Sequence, residues 1–307
     1  MKLLSDFDGV WTDPTPEAEA VRSLMIERTA ALSGETPQQV EADLEALATI
    51  ALGEPAEHGW APHGRISAFA DEDPLILGNA TAEVMRRWGA DAELAPASGQ
   101  AVAGRCAVYC LAVRDGGYES MDAYADKIFH EGTARFREQH SSALLPGARE
   151  AAERMLAEGL EVVVVSNSSE DKILNWFELA GIEARSVSER KDDGARCLFV
   201  RGSAGKFVLG EGDEQLTIGK RRIFIDRPMY TEAIRAEAPD VICGDVFSLD
   251  LALPHALRQR GERWAPSHLV LAMNTYTPAW SGVERAGGAI DHVVNGLSEF
   301  CDLLARL

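Results

Sequence analysis

Positive charge is in short supply in this 307-residue chain: 30 Lys and Arg face 49 Asp and Glu, for a net charge of −19. Such a chain repels phosphate backbones and anionic lipid, so no nucleic-acid and no membrane partner is expected. A small phosphorylated molecule stays open, because it needs only a local cationic pocket or a metal. Long apolar runs are missing as well. None approaches the ~18 residues of a membrane span, and the N-terminus passes from one lysine straight into Asp6 and Asp8, so no secretory leader is expected. The cysteines are five, odd in number and scattered, which suits reduced thiols in a cytoplasmic protein. Cys106 and Cys110 fall on one helix face, but without a zinc spacing they read as core thiols. The seven histidines show no metal spacing. No internal repeat and no low-complexity tract interrupts the chain.

What is present is ordinary globular material, 46% hydrophobic and 26% charged, enough to bury a sizeable core. Two textures alternate. "KLLSDFD" reads as a buried strand. From Thr15 to about Leu145, five segments place apolar residues at three- and four-residue spacings, the signature of amphipathic helices. "GEPAEHGWAPHGRISAFADEDP" separates the second from the third as a loop. Beyond Pro146 the rhythm becomes strand–helix–strand. "LEVVVVSNSS" has no polar alternation before Ser166, as in a strand buried on both faces. "CLFV" and "KFVLG", separated by "RGSAG", read as a small hairpin. "RIFI", "DVICGD", "HLVLAMN" and "HVV" follow as strands, and "LSEFCDLLARL" as the terminal helix. The expected fold is α/β: a doubly wound, mostly parallel sheet built from residues 1–13 and 144–307, interrupted after its first strand by a helical insert, 14–143.

In open parallel sheets, ligands bind beyond the carboxyl ends of the strands. The polar residues at those ends are Asp6 and Asp8 on the first strand, Ser166 and Asn167 on the second, Asp226 and Arg227 on a later one, and Asp245 on the next, with Asp250 five positions on. Taken alone, Asp6 and Asp8 could be turn carboxylates that cap the following segment. Together, several carboxylates in one place cannot all stay ionised without a cation. An all-oxygen acidic site matches Mg²⁺, which takes one or two carboxylates plus waters and a substrate phosphate. One carboxylate could then attack phosphorus as a covalent nucleophile.

"DFDGVWTD", "VVVVSNSS" and "ICGDVFSLD" resemble, in order, three signatures of the haloacid-dehalogenase-like (HAD) superfamily of phosphohydrolases. The resemblance covers 1–13 and 144–307, with the helical stretch between in the position of that superfamily's cap domain. It implies a Rossmann-like core and the following roles. Asp6 would be the nucleophile that forms an aspartyl-phosphate. Asp8 would protonate the leaving oxygen and then activate water, with its backbone carbonyl on the metal. Ser166, with Asn167, would bind the transferring phosphoryl group. Asp245 and Asp250, spaced as G-D-x-x-x-x-D, would complete the Mg²⁺ site. The superfamily also expects a Lys, sometimes Arg, against the nucleophile. No Lys sits just ahead of the helix that leads to "DVICGD"; Arg227 does and is the first choice, with Lys206 and Lys220 as alternatives.

The implied activity is a Mg²⁺-dependent phosphomonoesterase acting on a small phosphorylated metabolite. A phosphotransferase or phosphomutase on the same scaffold, or a non-catalytic HAD-fold binding protein, stays open beside it. Dehalogenation fits less well, since Asp8 supplies an acid/base that halide departure does not need. Phosphonate cleavage would want a Schiff-base lysine in the insert, where only Lys127 stands. Arg65 or His63 in "GWAPHGRISAF" could contact substrate, and the loops "NTYTPAW" and "SGVERAGG" could flank the pocket mouth. The insert either restricts access to small molecules or forms a homodimer face; the sequence leaves both open.

Overall fold

A computed structural model describes residues 1–61, 64–140, 144–191 and 196–307. The chain divides into two compact units, Met1–Asp13 with Ser141–Leu307, and Pro14–His140.

The first unit opens with β1 (Lys2–Ser5). The second follows with helices α1 (Thr15–Ser33) and α2 (Pro37–Gly53), the short strands β2 (Gly59–Trp60) and β3 (Ala68–Phe69), and helices α3 (Pro74–Ala90), α4 (Gln100–Asp115) and α5 (Met121–Gln139). Three of its helix starts follow side-chain capping chemistry. Thr36 accepts from the Gln39 N–H ahead of α2, Asp73 from Leu75 and Ile76 ahead of α3, and Ser120 from Ala123 ahead of α5, each satisfying N–H groups that the helix itself cannot. Leu44, Leu47, Val84, Met85, Trp88, Tyr109 and Tyr124 form its buried core. Buried Asp43 accepts from Arg105, from the Tyr109 hydroxyl at 2.7 Å and from Gln39 at 3.0 Å. The loop between the second and third helices contains the β2–β3 pair, which its lack of alternation hid.

The first unit resumes with α6 (Ala148–Ala157), β4 (Glu161–Val165), α7 (Glu170–Leu179), β5 (Ala184–Ser186) and β6 (Leu198–Arg201). Then come the antiparallel pair β7 (Gln215–Ile218) and β8 (Arg221–Phe224), α8 (Pro228–Glu237), β9 (Val241–Gly244), a π-helical turn over Phe247–Leu251 and α9 (Ala252–Gln259). β10 (His268–Ala272), a short turn of helix α10 (Arg285–Gly288), β11 (His292–Val294) and α11 (Leu297–Leu304) complete it.

The main sheet has seven strands in the order β11-β10-β9-β1-β4-β6-β5, every pair parallel. The expected doubly wound parallel sheet is therefore present. Val162 to Val165 of β4 are all fully buried, each contributing about 1.5–3 kcal/mol relative to exposure. That burial on both faces is why the segment carries no polar alternation. The chain runs from β1 out to β5 on one side and returns through β9 to β11 on the other, so the sheet reverses direction at β1. The crevice at such a switch point is where α/β sheets bind ligands.

Two expectations fail in this half. "CLFV" and "KFVLG" are not a hairpin: β6 joins the main sheet between β4 and β5, and "RGSAG" leads away from its carboxyl end. "RIFI" does form a strand, but not one of the main sheet: Arg221–Phe224 pairs antiparallel with Gln215–Ile218 instead. Short apolar runs look alike whether they pair locally or across the sheet.

Candidate active site

The first, fourth and ninth strands end side by side, and their next residues bring Asp6, Ser166 and Asp245 to the same crevice. β1 pairs with β4 on one side and β9 on the other, with Ser5 level with Val164 and Cys243. The Asp6 N–H extends that ladder to the Cys243 carbonyl at 2.8 Å. Asp250 reaches the same place because the π-helical turn folds back: its carboxylate accepts from the Val246 N–H at 3.1 Å. A Cβ on Gly244 would lie 2.3 Å from the Asp250 Cβ, so only glycine lets this turn close. Gly9 is constrained harder. Its φ is +76°, and a Cβ there would lie 1.9 Å from Asp245 Oδ2, so the glycine after Asp8 makes room for a carboxylate 236 residues away in sequence.

Asp6, Asp245 and Asp250 each offer an oxygen within 4.8 Å of the others'. Lys206 enters this cluster, with Nζ 2.8 Å from Asp6 Oδ1 and 2.8 Å from Asp250 Oδ1. Burial, followed by the charge on Asp250, pushes the Asp6 carboxyl up to about 8 in spite of Lys206. Burial lowers the Lys206 pKa, but Asp250 and Asp6 outweigh it and raise it above the ordinary value. Three crowded carboxylates with one ammonium ionise together only if further positive charge joins them. An all-oxygen donor set of this kind fits a hard divalent cation such as Mg²⁺.

Asp8 stands apart from that cluster. Its Oδ1 lies 3.1 Å from Lys172 Nζ, and its Oδ2 accepts from Ser168 Oγ at 2.7 Å and Ser166 Oγ at 3.3 Å. Burial opposes ionisation, but the Lys172 charge and the hydrogen bonds from Ser168, Lys172 and Ser166 hold its pKa below the ordinary carboxylate value. Of the four expected metal residues, three converge through their carboxylates; the fourth spends its carboxylate on a lysine and two hydroxyls.

The expected cation needs correcting. Lys206, not Arg227, lies against Asp6. Arg227 is fully buried and donates through Nη1 to the Lys206 carbonyl oxygen, so it braces the segment that carries the lysine. Lys220 is exposed in the turn between β7 and β8. The Asn167 side chain also serves the lysine: its Oδ1 accepts from the Lys206 N–H at 2.8 Å. Helix α7 is capped by Ser169 rather than by Ser166 or Asn167. Arg65 belongs to the other compact unit, and His63 lies outside the described residues.

Several neighbours were not singled out from the sequence. Ser168 and Lys172 hold Asp8; Lys172 Nζ lies 4.9 Å above the Trp176 ring. The Tyr230 hydroxyl donates to the Asp250 carbonyl at 2.9 Å, and its ring lies 5.5 Å beneath Lys206 Nζ. Tyr276 donates to Asp245 Oδ2 at 2.8 Å, and Asn274 Nδ2 lies 3.4 Å from the same oxygen, farther than from its other two acceptors. One signal was available: Lys172 sits four residues after Ser168, one turn into a helix that starts at a strand end.

In comparisons with known proteins, no family model matches the chain and no curated protein matches it in sequence. Solved structures do match over nearly its whole length. A putative HAD-hydrolase, YfnB from Bacillus subtilis, bound to magnesium, is 13% identical, with 99% of this chain and 98% of that one covered and a TM-score of 0.43. A 2-haloacid dehalogenase from Pseudomonas syringae pv. Tomato DC3000 is 17% identical, with 99% and 98% covered and a TM-score of 0.42. A putative beta-phosphoglucomutase from Thermotoga maritima is 13% identical, with 100% and 99% covered and a TM-score of 0.42.

Proposed function

We propose that this chain is a HAD-like, Mg²⁺-dependent phosphohydrolase that removes a phosphoryl group from a small metabolite through an aspartyl-phosphate on Asp6. The observation that carries the reading is the meeting of Asp6, Asp245 and Asp250, with Lys206 against Asp6 and Asp250, at the point where the strand order of a parallel sheet reverses. The cation would be held by Asp6, Asp245 and Asp250, and when bound it supplies positive charge that lets a phosphate dianion approach ionised Asp6.

In the first step an Asp6 carboxylate oxygen attacks phosphorus, and the bond from phosphorus to the ester oxygen breaks. The leaving oxygen takes a proton; for Asp8 to deliver it, Asp8 must enter this step protonated, against the lowering of its pKa by Lys172 and Ser168. In the second step water attacks the phosphorus, its proton passes to Asp8, and the phosphorus–Asp6 bond breaks to release phosphate. Asp8, held ionised by Lys172 and Ser168, is set up as the base of this second step. Lys206 and the Ser166 hydroxyl stabilise charge on the phosphoryl oxygens, where positioning and electrostatics supply most of the catalysis. Five free cysteines suit the reducing cytoplasm expected for such an enzyme.

Replacing Asp6 by Asn should lower Mg²⁺-dependent hydrolysis of p-nitrophenyl phosphate by on the order of 10⁴-fold or more, with the circular-dichroism spectrum unchanged. Hydrolysis that survives in Asp6→Asn, or that ignores chelation, sinks the reading. Transfer of the phosphoryl group to an added alcohol in preference to water would make the protein a phosphotransferase. Binding of Mg²⁺ and phosphate without turnover would make it a binding protein.

A further inference from the structure

We infer that Tyr276, aligned by Asn274, is a positioning residue for the cation site, fixing the Asp245 carboxylate in the orientation that ligates a divalent cation. This rests on the acid cluster being a cation site, as proposed above. Both residues lie in the loop after β10, closed by a hydrogen bond from the Asn274 N–H to Thr277 Oγ1 at 2.8 Å.

Direction in this network follows from who can donate. Asn274 Nδ2 lies 3.0 Å from the Gly9 carbonyl oxygen and 2.8 Å from Tyr276 Oη. The Gly9 carbonyl can only accept, so one amide proton goes there and the other to the phenol oxygen. The phenol accepts that proton on one of its lone pairs and gives its own to Asp245 Oδ2, 2.8 Å away, because a carboxylate can only accept. A relay therefore links the turn after β1, the loop after β10 and the carboxylate at the end of β9, three segments the sheet brings together. Asp245 itself is 3% exposed and rests against the bare Cα of Gly9, so its carboxylate has little other freedom.

The choice of donor matters. Lys206 ties Asp6 and Asp250 with a full positive charge, which competes with a cation for the same negative charge. A phenol holds a carboxylate without bringing a full positive charge of its own to compete with a dication. Outer partners of this kind orient the ligands and typically change metal affinity by about 10–100-fold when removed.

The test is Mg²⁺ and Mn²⁺ binding by isothermal titration calorimetry to the full chain and to Tyr276→Phe, with the melting temperature of each measured in chelator. Tyr276→Phe should bind about 10–100-fold more weakly, while its melting temperature in chelator stays within about 3 °C of the parent. A folded Tyr276→Phe that binds equally or more tightly overturns the inference and leaves the proposed function standing; a lowered melting temperature with unchanged affinity means a purely structural tyrosine and does the same. A parent chain that binds neither cation overturns the inference together with the reading it rests on. Should Tyr276→Phe fail to fold, Asn274→Ala decides, because it frees the phenol to turn from Asp245 and should also weaken binding; unchanged affinity there refutes the relay.

Discussion

Asp43 in the helical unit and the Asp6–Asp245–Asp250 cluster in the sheet unit are both buried acid, arranged in opposite ways. Around Asp43, one carboxylate gathers the Arg105 guanidinium, the Tyr109 hydroxyl and the Gln39 amide. In the sheet unit, three carboxylates converge on one another, and the Lys206 ammonium bridges two of them, Asp6 and Asp250. A carboxylate surrounded by donors is finished as a structural element, and anything added to it would have to displace a partner. Carboxylates that outnumber their cations keep a demand for positive charge, which is what a cation site requires. The lesson is to count donors per buried acid before calling an acid functional. Glu237 reinforces it: with Arg190, Lys2 and Arg201 at 2.8, 3.4 and 3.5 Å, it has more cations than it can use.

The largest effect that tests this contrast falls on Lys206. Lys206→Met should lower turnover by roughly 10²–10³-fold, as loss of one charged stabiliser of the reacting oxygens does, and leave the protein folded. Arg227→Met should act through stability, since it removes the brace on the Lys206 carbonyl. Melting curves and steady-state rates on both variants separate the roles; equal losses of turnover at equal stability would restore Arg227 as the phosphate cation.

Next in size is the comparison of Asp43 with Asp245. Asp43→Ala leaves Arg105 and Tyr109 without their acceptor and should cost about 3 kcal/mol of stability, with Mg²⁺ affinity untouched. Asp245→Asn relieves repulsion, so it should cost little in chelator and abolish the stabilisation that Mg²⁺ confers, about 2.7 kcal/mol at a hundred times Kd. Denaturant titrations with and without Mg²⁺ measure both. The contrast collapses if the two variants behave alike.

The smallest effect concerns acid. Burial works against an ionised Glu237, but the hydrogen bond from Arg190 and the charges of Arg190 and Lys2 prevail and lower its pKa below the ordinary 4.5. A carboxylate with a depressed folded-state pKa binds fewer protons folded than unfolded. Its stabilisation is therefore complete above about pH 4.5 and disappears as pH falls through the folded value. Glu237→Gln should be less stable at neutral pH and flatter on the acid limb of stability against pH. An unchanged acid limb would remove Glu237 from the account.

Much of the site was legible because it sits where strong local signals stop. Each apolar run, "KLLS", "EVVVV" and "VICG", ends abruptly in a polar residue, so Asp6, Ser166 and Asp245 could be placed at strand ends. The spacing of Asp250 was legible too. The lysine was legible only as an alternative, for Lys206 stands in a glycine-containing loop whose path no periodicity records, while Arg227 stood in a regular position ahead of a helix. Lys172 was not singled out, because its contact with Asp8 depends on which face α7 turns to the sheet, nor were Tyr276 and Asn274, which lie in an irregular loop.

By itself, then, the order of residues determined most strands of the main sheet, the long helices and the polar residues that follow β1, β4 and β9, because those follow from short-range patterns of apolar and polar groups. Only the tertiary structure decided which charges meet. Pairing between residues as distant as Gly9 and Asp245, or Lys206 and Asp6, depends on sheet order and loop path, and at contact distance a shift of a few ångströms decides whether a cation neutralises an acid or merely braces its neighbour.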